Sequence, residues 1–144
     1  MDLRARAFEV LQNTHLMSLA TTDEGGVWVA YVIFIYDDDL NLYFMSDPEC
    51  RHSQAIVKNG KAAGAISVGW KSKQNNFCLQ FAGEAKKIEG PRYDLARKHL
   101  AKRGKPPPTE TDDVLEGDSW YQLTPTMMEL IDEEHFGYDK QKIL

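Results

Sequence analysis

The sequence predicts a mainly β fold: six or seven strands closed into an antiparallel barrel, with short helices on its outside. Three observations point there. Short stretches of alternating apolar and polar residues recur between tight polar turns, the pattern of strands joined by hairpins. The run from Val27 to Tyr36 is apolar almost without break. Both of its faces therefore need apolar cover, which places it mid-sheet, packed from outside by a helix or a second subunit. Gly83 sits inside the longest strand pattern, where a bulge can bend a strand around a closing barrel. With 144 residues the chain makes one domain, 1–144, able to bury roughly two thirds of its unfolded surface.

The elements follow in order. Residues 2–11 form a helix, with Leu3, Ala7, Val10 and Leu11 on one face and Arg4 and Glu9 away from it. Residues 15–21 alternate as a strand. Asp23-Glu24-Gly25-Gly26 is a hairpin turn, because glycine accepts the positive φ such turns require. After the apolar strand 27–36, Asp37-Asp38-Asp39 reads as a solvated turn and not a metal site. Residues 40–45 are a strand with Leu40, Leu42 and Phe44 on one face. Asp47 suits the N-cap, and Pro48 the first position, of a helix over 49–58 that Asn59-Gly60 stops. Residues 62–70 make a strand of small and branched residues and 71–75 a polar turn. A long strand over 76–88 then carries Phe77, Leu79 and Phe81 on one face. Pro91 opens a helix to about residue 103, with Leu95, Ala96 and Leu100 inward and Arg97, Lys98 and Lys102 outward. Pro106-Pro107-Pro108 marks 105–117 as a connecting loop or lid. Pro125 divides the last β segment into strands 120–123 and 127–132, ahead of a polar tail ending on Ile143 and Leu144.

Composition narrows the function classes. The chain has 17 basic and 22 acidic residues, a net charge of −5, which argues against a dedicated duplex-binding module. The basic residues over 86–105 spread around a strand and a helix, as on a solvated surface. Cys50 and Cys78 lie far apart, form no metal-ligand spacing and suggest no oxidising compartment. The charged amphipathic start and the lack of any apolar run near about 18 residues predict a cytoplasmic protein without membrane association. His15, His52, His99 and His135 are scattered, so no metal site is expected. There is no Gly-rich phosphate loop and no Gly-x-Ser-x-Gly elbow.

What remains is the junction at 46–52, Ser46-Asp47-Pro48-Glu49-Cys50-Arg51-His52. A strand running into a helix leaves unpaired backbone N–H groups, and with nearby cations they make a candidate anion site. Arg51 suits a bidentate phosphate anchor, His52 a second donor and Ser46 a hydroxyl donor. Cys50 lies beside these cations in a setting that can activate a thiol, although packing accounts for it more simply. A flavin mononucleotide (FMN) suits such a cradle, its flat ring lying along apolar backbone such as 30–33. Strand N–H and C=O groups can bond the polar edge of a ring without any special side chain.

These residues resemble the pyridoxamine 5′-phosphate oxidase-like, FMN-binding split-barrel superfamily over nearly the whole chain, in an uncharacterised bacterial branch. Residues 27–39 look like its second barrel strand, and Leu42-Tyr43-Phe44-Met45-Ser46 resembles its V-F-Y-T-N strand. Cys50-Arg51-His52 resembles the S-R-K that follows, within an R-H-x-Q helix made here by Arg51, His52, Ser53 and Gln54. The Gly83 strand resembles its Q-V-x-x-x-G segment, and residues 120–130 resemble its closing W-x-x-L-x-P-x-x-I-E-F. The resemblance implies a split β-barrel homodimer with two flavin sites at the subunit interface. Arg51 and His52 would take the phosphate, Met45 and Ser46 would flank the ribityl chain, and Tyr31, Val32 and Ile33 would lie along the ring. The implied cofactor is FMN, with FAD, deazaflavin and haem as alternatives. The implied activity is redox chemistry on a small molecule. Its alternatives are a non-enzymatic flavin- or haem-binding protein and a cofactor-free dimeric interaction protein.

The departures from the family pattern bear on that expectation. The oxidase's arginine opening the second strand and its lysine near the end fall on Val29 and Phe34. Its S-R-K lysine is His52, and its glutamine near the ring falls on Cys78, with Gln80 two residues on. Asp47 and Glu49 put negative charge beside the proposed phosphate. The oxidase's C-terminal R-x-H is replaced by Gly137-Tyr138-Asp139-Lys140. A true pyridoxamine 5′-phosphate oxidase is therefore not expected.

Overall fold

The computed structural model describes residues 1–69 and 74–144. Its elements are α1 (Leu3–Gln12), β1 (Leu16–Asp23), β2 (Gly26–Tyr36), β3 (Leu42–Ser46), α2 (Arg51–Asn59) and β4 (Lys61–Ser67). They continue with β5 (Phe77–Ile88), α3 (Tyr93–Lys102), β6 (Ser119–Asp132), α4 (Glu133–Phe136) and β7 (Gln141–Lys142). The strand order is β3-β2-β1-β4-β5-β6-β7, and a further β3–β6 pairing closes the first six into an antiparallel barrel. The expected fold class is what forms. No helix among the described residues is long and apolar enough to cross a membrane.

Alternation decides what fills the barrel. Met17 and Leu19 of β1, Phe34 of β2, Leu42 and Phe44 of β3, Leu79 of β5 and Leu130 of β6 belong to one buried core. α1 packs Ala7, Val10 and Leu11 on it, and Asp2 caps that helix by accepting the Ala5 amide at 3.1 Å. A smaller cluster of Ile35, Tyr43, Leu95, Ala96 and Trp120 seats α3, with the Trp120 indole donating to the Pro91 carbonyl at 2.8 Å. The first hairpin closes in register from Leu16↔Ile33 to Asp23↔Gly26. Gly26 takes φ +105°, and the Asp23 carboxylate accepts the Gly25 amide. Asp37 organises the second turn, accepting from the Asp39 and Asn41 amides, the Asn41 side chain and the Tyr43 hydroxyl.

Several local expectations are corrected. Pro125 does not divide the last β segment: β6 is one strand, bent where the register shifts between Ala82 and Gly83. Ala82 pairs with Met127 and Gly83 with Pro125, so Thr126 is the extra residue of a bulge. A proline is tolerated at such a point because a ladder bond is already lost there. Asp47 is not the N-cap of α2. Its carboxylate accepts the Glu49 amide and its carbonyl the Cys50 amide in a turn before the helix, and Cys50 becomes the N-cap. The helix stops as expected on Gly60, at φ +71°. β4 is described only as Lys61–Ser67; Trp70 and the turn residues 71–73 fall outside the described residues. On α3 the buried residues are Leu95, Ala96 and His99, with Leu100 half-buried. Lys102 turns inward: its ammonium lies 3.5 Å from the Phe34 ring centroid and donates to the Phe34 carbonyl at 2.7 Å. The tail is ordered by β7 pairing on β6, and Ile143 and Leu144 pack against the core.

Candidate functional site

β3 delivers its last residue, Ser46, to the start of α2. Ser46 is buried, and its hydroxyl lies 2.9 Å from His52 Nε2. Burial pushes the His52 imidazole below its ordinary range, so at neutral pH it is uncharged unless an anion arrives. The N-cap, Cys50, makes no side-chain capping bond. The first-turn amides of this nine-residue helix are therefore not capped by a side chain.

Arg51 does not join Ser46 and His52. Its guanidinium forms a fork with Asp23 at the hairpin, Nε to Oδ2 at 2.9 Å and Nη2 to Oδ1 at 3.0 Å, and lies 4.6 Å from the Trp28 ring centroid. The hydrogen bond from Arg51 holds the Asp23 carboxyl below its ordinary range. Met45, next to Ser46 in sequence, points the other way, as strand alternation requires. It lines a cavity of about 440 Å³ under α3, with His99, Leu100, Arg103, Val114 and Trp120. Trp120 meets His99 edge-on.

Tyr31, Val32 and Ile33 lie on β2 with different surroundings. Val32 is buried in the barrel, Ile33 is half-buried, and Tyr31 stands 74% exposed on the outer face. Val27 and Val29 share that face at 76% and 58% exposure. Next to Val29 in register come Ala20, Ala63 and Ala82, and next to Tyr31 come Ser18, Ala65 and Gln80. The result is an outer surface of small residues bordered by Val27, Val29 and Tyr31. Among the described residues the β2–β3 ladder covers only Phe34–Tyr36, so the N-terminal part of β2 pairs with β1 on one edge and leaves its other edge unpaired by strand. Exposed outer face and open backbone edge are therefore properties of one stretch of β2.

The pyridoxamine 5′-phosphate oxidase family matches residues 3–132. This chain belongs to that family. A UPF0306 protein of Enterobacter sp. (strain 638) is 30% identical over 104 residues, 72% of this chain and 73% of its own. The general stress protein 26 of Bacillus anthracis is a solved structure at TM-score 0.70 and 17% identity, covering 99% of this chain and 100% of its own. The haem storage protein HutZ of Vibrio cholerae has TM-score 0.66 and 18% identity over 90% and 95% of the two chains. Likeness at such identity speaks for the fold alone.

Some residues of the site region were not legible in sequence. Asp23 and Trp28, which hold Arg51, lie 28 and 23 positions away from it. Lys102 brings a cation onto Phe34, the position where the oxidase resemblance expects a lysine on the strand itself. Neither partnership has a local signal. The buried Asp132 sits between Arg6 and His135, 2.9 Å from each, with Glu134 close by.

Proposed function

We propose that this chain is a flavin-binding member of the pyridoxamine 5′-phosphate oxidase family, taking FMN and acting as an oxidoreductase on a small molecule. The observation that carries the reading is the uncapped start of α2 beside Ser46 and His52. Helix amides, a hydroxyl and an imidazole able to take up a proton suit a phosphate. The residues present fit the phosphate end. Ser46 and His52 would bond it, and Arg51 would join by exchanging Asp23 for the phosphate. Ser46, with the backbone but not the outward-turned side chain of Met45, would border the ribityl chain, and the open edge of β2 at Tyr31, Val32 and Ile33 would meet the ring. A bound flavin supplies hydride or single-electron transfer; the protein orients it and shapes the space above it. The exposed outer face of β2 supports a homodimer, because a second copy would cover Val27, Val29 and Tyr31. We place the protein in the cytoplasm, with neither nucleic acid nor membrane as partner.

The test is titration of cofactor-stripped protein with FMN, followed by flavin fluorescence. Binding at micromolar or tighter, one flavin per chain, is expected. Arg51→Ala should weaken it by roughly tenfold to a hundredfold, the scale for losing a charged hydrogen bond. Asp23→Asn should strengthen it, since it frees the guanidinium. An unchanged dissociation constant in both variants would remove Arg51 from the site. A second reading, storage or sensing of flavin or haem without turnover, draws on the fold shared with the haem storage protein. The same titration with hemin, followed by a turnover assay with a reduced nicotinamide and an electron acceptor, separates the two.

A further inference from the structure

Met45 and Ser46 are neighbours on β3 and face opposite ways, so the cavity of about 440 Å³ under α3 is separate from the phosphate junction. Its floor is apolar, made by Met45, Leu100, Val114 and the wholly buried Trp120. Residues 105–117 supply its outer wall, and that wall is packed in place. Val114 and Leu115 join the Trp120 cluster, and the Tyr93 hydroxyl donates to the Glu110 carbonyl at 2.7 Å.

Two features of the lining bear on its occupant. His99 is only 7% exposed, yet its ring makes no hydrogen bond or ion pair among the described residues; it meets Trp120 edge-on, with the centroids 5.9 Å apart. A buried imidazole without partners is costly, and a ligand that bonds it supplies what the fold leaves unmade. The second feature is charge. Arg103 and Lys105 line the same cavity and form no ion pair among the described residues. Lys102 is turned away, bonded to the Phe34 carbonyl. Asp112, Asp113 and Glu116 stand on the loop wall. Two of them serve the loop itself: Asp112 accepts the Thr109 amide at 2.8 Å and Asp113 the Glu116 amide at 3.1 Å. Burial first, then the cations Arg103, Lys102 and Lys105, push the His99 imidazole below its ordinary range. The charges acting on that ring are all positive, so the His99 end of the cavity is electropositive.

We propose that this cavity is a binding site for a small aromatic carboxylate. The ligand's ring lies on Trp120 and Met45, and its carboxylate takes the Arg103 fork and a hydrogen bond from His99, with Lys105 adding charge. A monoanion suits the site better than a phosphate, because the carboxylates of the loop wall repel a second negative charge. An apolar floor with a few convergent polar groups, in a volume toward the small end for ligand pockets, matches a single substituted ring system. The site shares no side chain with the phosphate cradle at Ser46 and His52, so success or failure of FMN binding leaves it untouched.

The experiment titrates the full chain with indole-3-acetate by calorimetry, with the neutral isostere indole-3-acetamide beside it. The acid should bind once per chain with a Kd of roughly 1 mM or tighter, the scale for a ligand of this size. The amide should bind about tenfold more weakly. Arg103→Ala, at an exposed position ending α3, should bring the acid down to the level of the amide. His99→Phe keeps a ring against Trp120 but removes both nitrogens, and should also weaken the acid. Lys61→Ala on β4 removes a cation away from the cavity and should change nothing. In a methyl NMR spectrum the Met45 signal, assigned with Met45→Leu, should shift under the indole ring current while that of the core residue Met17 stays. Equal affinity for acid and amide overturns the proposal. So does acid binding indifferent to Arg103→Ala, a loss in Lys61→Ala as large as in Arg103→Ala, an unmoved Met45 methyl, or no binding of the acid at all. Should His99→Phe fail to fold, Arg103→Ala and the Met45 signal decide the matter without it.

Discussion

Gly83→Ala probes the device that closes the barrel. A Cβ at Gly83 would lie 2.1 Å from the Thr124 carbonyl oxygen, 2.8 Å from the Pro125 Cα and 2.9 Å from the Thr124 carbonyl carbon. Ordinary carbon–oxygen contact needs more than an ångström beyond the shortest of these. All three atoms are backbone, so no side chain can rotate aside. The strands must separate at the bulge, within the ladder that runs from Phe77↔Asp132 to Ile88↔Trp120. Overpacking costs typically 1–3 kcal/mol, and a clash with backbone belongs at about the upper end. For a chain of this size each kcal/mol lowers Tm by roughly 2–4 °C, so a fall of about 6–12 °C is expected. Thermal unfolding followed by circular dichroism reads it, with Gly69→Ala as the control, since among the described residues a Cβ there meets nothing within 4 Å. A loss at Gly83 no larger than at Gly69 would refute the argument that close backbone approach demands glycine.

Three further outcomes follow from the geometry. Val29→Glu places a charge in the middle of the exposed outer face and should convert a dimer to a monomer by light scattering at micromolar concentration; a wild-type chain that is already monomeric would remove the interface. Asp132→Asn should cost about 2 kcal/mol at pH 7, because Arg6 and His135 both bond that buried carboxylate. Burial alone would raise the Asp132 carboxyl, but these bonds hold it below its ordinary value of 3.8. Its stabilisation is therefore present above that value and lost as pH falls through the lower folded one. The gap between variant and wild type in denaturant midpoint should narrow below about pH 4, and a gap constant from pH 7 to pH 3 would contradict the assignment. Lys102→Met should lower stability measurably, since it removes the donor to the Phe34 carbonyl and the cation over its ring. Burial brings the Lys102 ammonium down to about 8, below its unfolded value, so the wild type gains stability as pH rises past 8 and the loss in the variant should widen with it; denaturant midpoints at pH 7 and pH 9.5 measure it, and a gap that narrows would contradict the assignment.

The parts of this protein that were legible in the sequence are those whose cause is local. Alternation at Met17 and Leu19, or at Leu42 and Phe44, states which face is buried whatever the strand pairs with. Gly60 after an amphipathic run and Gly25-Gly26 between two strands announce their turns by the φ they permit. Gly83 could be singled out as a bulge because a residue without a side chain inside a strand has little other use. Pro125 misled for the same local reason: it reads as a break, and only its pairing opposite Gly83 makes it part of the bulge. Asp47 has the chemistry of an N-cap, yet it is used in the preceding turn and the helix begins at Cys50 instead.

The candidate site divides along the same line. Ser46 and His52 are six positions apart, and a strand entering a helix brings them together almost by itself. Arg51 is next to His52, but its direction is decided by a carboxylate and an indole on a hairpin that only tertiary contact delivers. The sequence by itself determined the antiparallel barrel and the point where a strand runs into the helix at 51–59, because periodicity and turn chemistry act over a few residues. Tertiary structure alone decided that Arg51 is held by Asp23, that Lys102 lies over Phe34 and that the β2 edge is open beyond Phe34, because each depends on which distant elements closure of the barrel brings together.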